Sequence, residues 1–357
     1  MVEFQHLIDL NDLSVEQWNE IIQLALKIKA NEKAYSEVCK HKILATLFYE
    51  PSTRTQMSFQ TAMLRLGGQI IGFDNPQNSS VSKGENLMDT IRIVSGYADI
   101  LAMRHPIEGA AKAAAIYAGC PVINAGDGGH LHPTQTLTDL VTLQSEKGAL
   151  SGLTIGLCGD LKYGRTVHSL IKALSMYPNN KFVLISTKEL SVPQYIKDWL
   201  NSHNCACQEC YSLAEAIPQL DVLYMTRIQK ERFASQEEYE RQKNVYILDM
   251  EKLFHAKQDL CILHPLPRVD EIDLNVDKDP RAIYFKQAVN GVYARMALIM
   301  TLLQSNGTKR APISHHCAHI SCNNPNCITN HETYLEKSYK ENGDLLVCEY
   351  CDERQLI

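Results

Sequence analysis

Short apolar segments alternate with longer amphipathic segments along most of the chain. The short segments are typical of buried strands, and the longer ones have the period of helices. This alternation predicts a parallel α/β architecture, because parallel strands need a crossover connection that is usually a helix. The predicted strands are Ile43–Phe48, Ile70–Phe73, Ile100–Met103, Val122–Asn124, Leu153–Cys158, Phe182–Ile185, Val222–Met225, Val245–Leu248 and Cys261–Leu263.

The predicted strands fall into two groups, with a predicted helix at Leu137–Leu150 between them. We therefore expect an α/β fold class with two doubly wound parallel-sheet domains. Ser14 and Gln17 form an S-x-x-Q capping box that marks the start of an N-terminal helix. A long apolar helix is predicted at Val292–Leu303, and a polar linker follows it.

Composition limits where this protein can work. At 357 residues, with 45% hydrophobic and 21% charged residues, the chain resembles an ordinary globular protein of two domains and an appendage. The most apolar stretch, Ala297–Leu303, is far shorter than the ~18 residues that a membrane span needs. Residues Met1–Leu10 lack the basic end and apolar core of a signal peptide. We expect a cytoplasmic protein with no membrane partner.

Four cysteines near the C-terminus form two close pairs, Cys322 with Cys327 and Cys348 with Cys351. The spacings C-x4-C and C-x2-C are typical of four thiolates on one tetrahedral zinc ion. The segment that begins at Pro312 is too short to be stabilised by core burial alone. These cysteines therefore predict one structural zinc ion per chain.

This C-terminal segment is also acidic. From Ile313 onward, three basic residues stand against seven acidic ones. A zinc module that binds nucleic acid is basic, because it must neutralise phosphates. We therefore expect no nucleic-acid partner and a role in protein contacts.

The sharpest local motif is Glu50–Thr55, which follows a predicted strand and opens a predicted helix. A helix N-terminus offers unpaired N–H groups and the positive end of a dipole. The motif adds donors from Ser52, Thr53, Arg54 and Thr55. A simple N-cap would explain the serine, but an arginine inside the cap favours a phosphate site.

Other polar residues lie at predicted strand ends, where open α/β sheets bind ligands. His132 follows a loop whose glycines would let the backbone approach a ligand closely, and Arg104 follows a strand of the first group. Arg165 and Arg227 follow strands of the second group, and each could bind one carboxylate bidentately. Each arginine could equally pair with an acidic neighbour. Together they suit a dicarboxylate.

Six motifs now form a recognisable series along residues 1–305. They are Ser52–Thr55, Lys83–Glu85, Met103–Pro106, His132–Gln135, Asp160–Thr166 and His264–Arg268. In this order they resemble the catalytic chain of the aspartate carbamoyltransferase family. The C-terminal segment is similar to the zinc domain of that family's separate regulatory chain, and a linker of eight residues, Ser305–Pro312, stands in place of the nucleotide-binding domain.

The resemblance implies the carbamoyltransferase fold with a small C-terminal zinc-binding β domain. Residues 1–148 would bind carbamoyl phosphate, with a helix at 288–305 packing back on them, and residues 149–287 would bind aspartate. Residues 306–312 would be the linker and 313–357 the zinc-binding domain. Without a nucleotide-binding domain, we expect no response to ATP or CTP.

The resemblance also implies an activity, the transfer of the carbamoyl group of carbamoyl phosphate to the amine of L-aspartate in de novo pyrimidine biosynthesis. The residues implied to bind carbamoyl phosphate are Ser52, Thr53, Arg54, Thr55, Ser79, Lys83, Arg104, His132 and Gln135. Those implied to bind aspartate are Lys83, Arg165, Arg227, Gln229, Leu266 and Pro267. The implied catalytic residues are Arg54, Thr55, Lys83, Arg104, His132 and Gln135.

Lys83 bears on the oligomeric state. It lies in a polar loop, Asn75–Gly84, which in this family reaches the active site of the neighbouring subunit. The resemblance therefore implies a homotrimer with shared active sites, and it permits a hexamer of two stacked trimers. Ser82 stands where relatives often have a second basic residue, and the accompanying hydroxyl donor is either Ser79 or Ser80.

Two other functions are compatible with parts of this pattern. Ornithine carbamoyltransferase shares the phosphate motif, but its pattern has cysteines where this chain has Thr134 and Leu266. A zinc-dependent assembly protein without activity is disfavoured, because every implied catalytic position is filled.

We interpret Cys205, Cys207 and Cys210 beside His203 as incidental, partly buried thiols. Alternative zinc ligands near the first cysteine pair are His315, His316, Cys317 and His319.

Overall fold

The structure is a computed structural model that describes residues 5–9, 12–228, 233, 235–242, 245–305 and 320–356. The chain forms two compact units, one of residues 1–134 and 292–357 and one of residues 135–291. Helices α5 (Pro133–Lys147) and α11 (Tyr284–Gln304) run from one unit into the other. None of the helices in the described ranges is long and apolar enough to cross a membrane.

The first unit contains a four-stranded parallel sheet in the order β2-β1-β3-β4. Its strands are β1 (Ile43–Phe48), β2 (Gln69–Phe73), β3 (Ile100–His105) and β4 (Val122–Asp127). Its helices, apart from α11, are α1 (Val15–Ala30), α2 (Thr53–Arg65), α3 (Leu87–Val94) and α4 (Ala110–Tyr117). The chain passes from β1 to β2 on one side and returns to β3 on the other, so the winding direction reverses between β1 and β3.

The second unit contains a five-stranded parallel sheet in the order β7-β6-β5-β8-β9. The strands are β5 (Thr154–Cys158), β6 (Lys181–Ile185), β7 (Ala206–Cys210), β8 (Val222–Met225) and β9 (Cys261–Leu263). Its other helices are α6 (Arg165–Ser175), α7 (Gln194–Ser202), α8 (Leu213–Ala216), α9 (Gln236–Gln242) and α10 (Met250–Leu253). Here the winding direction reverses between β5 and β8.

The prediction of two parallel sheets is confirmed, but one strand was assigned wrongly. Val245–Leu248 is not a strand, because only Leu248 forms an isolated bridge there, with Ile272. Its apolar character reflects Tyr246 and Leu248 packing into the core. The fifth strand is instead β7, an exposed edge strand of sequence Ala-Cys-Gln-Glu-Cys that has no apolar run to announce it. The capping box of Ser14 and Gln17 is present as predicted.

The C-terminal residues form a small antiparallel sheet and a one-turn helix. The elements are α12 (Ile328–His331), β10 (Tyr339–Asn342), β11 (Leu345–Cys348) and β12 (Arg354–Leu356). This C-terminal domain shares one apolar core with the rest of the first unit. Ala110 and Ala114 of α4 belong to the same buried cluster as Ile328, Leu335 and Tyr350.

Backbone hydrogen bonds join the C-terminal domain to the loop after β3. The N–H of Glu108 donates to the carbonyl of Asn326 (3.0 Å), and the N–H of Ile328 donates to the carbonyl of Glu108 (2.8 Å). The amide of Asn324 also donates to the Glu108 carboxylate (2.6 Å), and Lys112 Nζ donates to the carbonyl of Glu349 (2.6 Å). The domain therefore packs on its own chain through a mixed apolar and polar contact.

Gly109 lies at the closest approach of this contact. Its φ is +83°, and a Cβ there would lie 2.7 Å from Tyr350 Cβ and 2.8 Å from the Tyr350 carbonyl oxygen. Gly148 provides a matched control, because its φ is +73° and a Cβ there would meet nothing within 4 Å.

We predict that Gly109→Ala weakens the packing of the C-terminal domain. Both Gly109→Ala and Gly148→Ala introduce strain at positive φ, but only the first adds a clash, which should cost about 1–3 kcal/mol more. Urea unfolding, followed together with protease cleavage of the C-terminal domain, measures this difference. Equal losses of stability in the two variants would contradict it.

Candidate active site and metal centre

The loop after β1 carries the residues predicted to bind phosphate. Helix α2 begins at Thr53, with Ser52 as its N-cap residue. Ser52 makes no side-chain cap, and its hydroxyl donates instead to Thr55 Oγ1 (3.0 Å). Thr53 and Arg54 are exposed. The first turn of this 13-residue helix therefore presents hydroxyls and a guanidinium at its N-terminus, which suits an anion.

Strand pairing brings Arg104 to the same place. Arg104 lies opposite Phe48 in the register of β1 with β3, so it emerges beside the loop that follows β1. It is 9% exposed, and its Nη2 lies 2.8 Å from Glu50 Oε2. This is the point where the winding direction of the sheet reverses, which is the usual ligand-binding position in such sheets.

His132 packs beside Arg104 across Gly126. A Cβ at Gly126 would lie 2.8 Å from Arg104 Nη1 and 3.5 Å from His132 Cδ2, and the φ of Gly126 is +123°. The sequence suggested that these glycines let the backbone approach a ligand. In the structure, the missing Cβ of Gly126 leaves room for the Arg104 guanidinium, and His132 lies at an ordinary contact distance from the same position.

A buried aspartate holds the loop that precedes His132. Asp127 is 1% exposed, and its carboxylate accepts hydrogen bonds from Asn124 Nδ2 (3.0 Å) and from the N–H groups of Leu131 (3.1 Å) and Gly109 (2.9 Å). Asp127 thus links the loop after β4 to the loop after β3. The sequence showed Asp127 within a glycine-rich loop but did not reveal this function.

His130 connects the same loop to the C-terminal domain. Its Nδ1 lies 3.1 Å from Asp127 Oδ2, and its Nε2 lies 3.1 Å from Asp352 Oδ2. Burial alone lowers the pKa of His130, but these two carboxylates raise it well above its ordinary value. A protonated His130 is therefore an ionic link between the loop and the C-terminal domain.

His105, which follows Arg104, is in the opposite state. Burial lowers its pKa to about 4, and its Nδ1 accepts a hydrogen bond from the N–H of Ile107 (3.0 Å). Its ring packs on Tyr49 with centroids 4.6 Å apart. A neutral His105 adds no positive charge beside Arg104 at neutral pH.

The loop that carries Lys83 is organised by its own serines. Ser79 Oγ donates to the carbonyl of Pro76 (2.7 Å) and accepts from the N–H of Val81 (3.3 Å). Ser80 is exposed. Lys83 is also exposed, and its side chain makes no hydrogen bond or ion pair with the described part of the chain. The Lys83 side chain is therefore accessible at the surface of the first unit.

In the second unit, Arg165 and Arg227 follow the neighbouring strands β5 and β8. Arg165 is the first residue of α6, and Arg227 lies just beyond β8. Thr226 ties the two strand ends together, because its hydroxyl donates to the carbonyl of Cys158 (3.0 Å) and accepts from the N–H of Asp160 (3.1 Å). The two arginines thus lie at the reversal point of the second sheet.

The loop after β9, the next strand along, contains Leu266 and Pro267. The bond between them is cis, and Leu266 has a φ of +55°. The N–H of Leu266 donates to His264 Nδ1 (2.7 Å), while His264 Nε2 lies 2.7 Å from Glu271 Oε1. Although burial raises the pKa of Glu271, its hydrogen bond to His264 leaves that pKa below its ordinary value.

A second buried aspartate connects this loop to Gln135. Asp139 Oδ1 accepts hydrogen bonds from Gln135 Nε2 (2.8 Å) and Gln287 Nε2 (2.6 Å). Gln287 Oε1 in turn accepts from the N–H of His264 (2.9 Å). Asp139 therefore fixes the side chain of Gln135 and, through Gln287, the start of the loop after β9.

The four C-terminal cysteines converge on one point. Cys322, Cys327, Cys348 and Cys351 are all buried, and their sulfur atoms lie within 4.8 Å of one another. Over the described ranges, no other group of three or more His, Cys, Asp or Glu side chains comes together in this way. Four buried thiol groups at this spacing fit one metal ion.

Models of known families match almost the whole chain. The aspartate/ornithine carbamoyltransferase carbamoyl-P binding domain matches residues 5–145, and the Asp/Orn binding domain matches residues 151–302. The chain belongs to the aspartate/ornithine carbamoyltransferase family. The metal binding domain of the aspartate carbamoyltransferase regulatory chain matches residues 317–355 of this carbamoyltransferase. The predicted resemblance to a catalytic chain joined to a regulatory-chain metal domain is confirmed.

Individual relatives agree with this assignment. The aspartate carbamoyltransferase catalytic subunit of Clostridium perfringens is 62% identical over 304 residues, which are 85% of this chain and 99% of the relative. The subunit of Clostridium kluyveri is 60% identical over 303 residues, with the same coverage. The solved catalytic subunit of M. jannaschii aspartate transcarbamoylase superposes with a TM-score of 0.80 at 49% identity, covering 85% of this chain and 99% of the other.

A further solved structure is the Trypanosoma cruzi aspartate transcarbamoylase in complex with carbamoyl phosphate and aspartate. It superposes with a TM-score of 0.79 at 37% identity and covers 84% of this chain and 97% of its own. These likenesses confirm the predicted fold class of two parallel-sheet α/β domains, and the C-terminal sheet with its cysteine cluster agrees with the predicted small metal domain.

The structure brings together many, though not all, of the predicted site residues. In the first unit, Ser52–Thr55, Arg104 and His132 lie at one sheet edge, whereas Ser79 and Lys83 lie on a separate loop. Gln229 and the alternative metal ligands His315, His316, Cys317 and His319 lie outside the described residues.

The remaining cysteine cluster lies on or beside the edge strand β7. Cys207 is exposed, and Cys205 and Cys210 are half-buried.

Sequence reasoning missed four acidic residues that hold site loops or the C-terminal contact. They are Glu50, Glu108, Asp127 and Asp139.

Proposed function

We propose that this carbamoyltransferase transfers the carbamoyl group of carbamoyl phosphate to the amine of L-aspartate, forming N-carbamoyl-L-aspartate and phosphate. One observation carries the proposal. The helix N-terminus at Ser52–Thr55 and the arginine pair Arg165 and Arg227 occupy the reversal points of the two sheets. Relatives at about 60% identity bear the name of this enzyme's catalytic subunit.

Carbamoyl phosphate would be held by Ser52–Thr55, by Arg104 and by the segment from His132 to Gln135. Ser52, Thr53, Arg54 and Thr55 bind the phosphate group, because they supply N–H groups, hydroxyls and a guanidinium at a helix N-terminus. Thr55, Arg104 and His132 donate to the carbonyl oxygen. Gln135, oriented by Asp139, binds the carbamoyl amide.

Aspartate would be held by the loops of the second unit. Arg165 binds the α-carboxylate, and Arg227 with Gln229 binds the side-chain carboxylate. The carbonyl groups of Leu266 and Pro267 accept hydrogen bonds from the amines. Two cationic side chains at neighbouring strand ends suit a dicarboxylate and disfavour the cationic side chain of ornithine.

The reaction would need no covalent intermediate with the protein. The uncharged amine attacks the carbonyl carbon, the carbonyl oxygen takes negative charge, and the bond to phosphate then breaks. The leaving phosphate can accept the proton that the amine loses. The protein contributes orientation of the two substrates and donors fixed in advance around the oxyanion.

We predict that Arg165→Ala and Arg227→Ala each lower kcat/KM for aspartate by roughly 10- to 150-fold, because each removes a charge-assisted contact with a carboxylate. Formation of carbamoyl aspartate measures the effect. Lys197→Ala is the matched control, since Lys197 pairs with Glu209 of the edge strand β7 (2.7 Å) and should retain full activity. Carbamoyl transfer to ornithine, or no transfer to aspartate by a folded wild-type oligomer, would contradict the proposed function.

We also propose that the active unit is a homotrimer in which Lys83, with Ser79, completes the site of the neighbouring subunit, and that two trimers can stack as a hexamer. Lys83 is exposed on a polar loop. The same unit exposes apolar side chains on α2 and β2, namely Met57 (61% exposed), Leu64 (55%) and Ile71 (40%). A second copy of the chain would cover such a surface.

We predict that mixing two inactive variants restores activity. Lys83→Ala and Arg54→Ala should each lose on the order of 10²–10³-fold in kcat, because each removes a donor to developing charge. When the two variants assemble at random, about a quarter of the shared sites combine an intact Arg54 with an intact Lys83 from the neighbouring subunit. About a quarter of wild-type activity should therefore return. Mixing Arg54→Ala with His132→Ala is the control and should restore none. Absence of complementation in the first mixture would show that Lys83 acts within its own chain.

We further propose that the metal is zinc, with one structural ion per chain. Four buried thiol groups are the ligand set of closed structural zinc sites. When bound, zinc would hold the C-terminal domain in its packed form, as structural zinc does in other small domains. Cys322, Cys327, Cys348 and Cys351 would be the ligands.

We predict about one zinc ion per chain in the purified protein. Cys322→Ser should lower the zinc content and expose the C-terminal domain to protease, because three thiolates bind the ion less tightly. Cys207→Ser is the control, since Cys207 is an exposed thiol of β7, and it should keep its zinc. Elemental analysis and limited proteolysis measure both effects. Iron in place of zinc, or full zinc content in Cys322→Ser, would contradict this assignment.

A further inference from the structure

Arg295, a buried cation of α11, contacts two segments that carry site residues. It is 4% exposed, its Nη1 donates to Ser58 Oγ (3.2 Å), and its guanidinium lies 4.9 Å from the ring centroid of Phe59. Ser58 and Phe59 belong to α2, the helix whose N-terminus carries Ser52–Thr55. Arg295 Nη2 donates to Thr134 Oγ1 (3.4 Å), two residues beyond His132. Arg295 therefore connects α2 to the segment that carries His132.

The direction of the hydrogen bonds follows from the chemistry of the three groups. A guanidinium can only donate, so Thr134 Oγ1 accepts from Arg295. The Thr134 hydroxyl keeps its own proton to donate, and Nδ1 of His132 lies 3.4 Å from it. If Nδ1 accepts this proton, the ring proton of a neutral His132 lies on Nε2.

Arg104 lies in the same surroundings as His132, because a Cβ at Gly126 would lie 2.8 Å from Arg104 Nη1 and 3.5 Å from His132 Cδ2. A histidine that donated from both nitrogens would be an imidazolium, and a guanidinium at this place disfavours a further positive charge. His132 is 7% exposed, so water screens this repulsion only weakly.

We infer that Arg295 is a positioning residue, which acts through the Thr134 hydroxyl to hold His132 as a neutral imidazole with its proton on Nε2. This inference rests on the proposed function, in which His132 donates to the carbonyl oxygen of carbamoyl phosphate. Nε2–H is then the donor to the developing oxyanion. Nothing in the His132 motif by itself indicates this dependence on a helix more than 150 residues later.

Arg295→Met, Thr134→Val and the double variant test the inference. Each single variant should lower kcat roughly 10- to 100-fold, less than the loss of a whole oxyanion donor, with a smaller change in KM for carbamoyl phosphate. Because both residues act through one hydrogen bond to His132, the double variant should lose little more than either single variant. Thr134→Ser, which keeps the hydroxyl, should recover most of the activity lost in Thr134→Val.

Asn290→Leu is the matched structural control. Asn290 also lies on α11, is buried, and donates to Thr142 Oγ1 of α5 (3.1 Å). This hydrogen bond involves neither Thr134 nor His132. It should lose stability and keep its kcat. A Thr134→Val variant with wild-type kcat, or multiplicative losses in the double variant, would overturn the positioning role while wild-type turnover upholds the proposed function. A folded wild-type oligomer without turnover would overturn both.

Discussion

Parallel strand pairing at two reversal points is the constraint on which the candidate site depends. Because β1 and β3 are neighbours in register, the loop after β1 and Arg104 emerge at the same edge of the first sheet. The pairing of β5 with β8 does the same for Arg165 and Arg227 in the second. In each sheet the crossovers leave in opposite directions at this point, so the strand ends remain uncovered by the connections and can receive a ligand.

Buried acidic residues convert these strand ends into ordered sites. Asp127 accepts hydrogen bonds from its sequence neighbours Asn124 and Leu131 and from Gly109 of the loop after β3. Asp139 accepts from Gln135 of its own helix and from Gln287 of α11. A carboxylate suits this function because it has four lone-pair positions and accepts from both backbone and side-chain donors. Loss of such an acceptor would leave several buried donors unsatisfied. The residues proposed to touch substrate are therefore held by residues that do not.

The C-terminal domain contacts the same loops. Glu108 bonds with Asn324, Asn326 and Ile328, and His130 bridges Asp127 and Asp352. These contacts lie in the loops that follow Arg104 and precede His132. The domain that carries the four-cysteine cluster therefore contacts the loops of the first unit's candidate site, and it shares an apolar core with the rest of that unit.

The sequence alone determined the α/β class, the positions of most strands, the start of a helix at Ser52–Thr55 and the cysteine pairs, because periodicity, cap chemistry and cysteine spacing are local properties. It misassigned Val245–Leu248 and missed β7, since an apolar segment can be buried without being a strand and an edge strand can be polar. Only the tertiary structure decided that Gly126 accommodates Arg104, that Glu108 bonds to the C-terminal domain, and that Arg295 bonds to Thr134. These contacts join residues far apart in the chain, and their partners are fixed by strand order and helix packing, which no local pattern encodes.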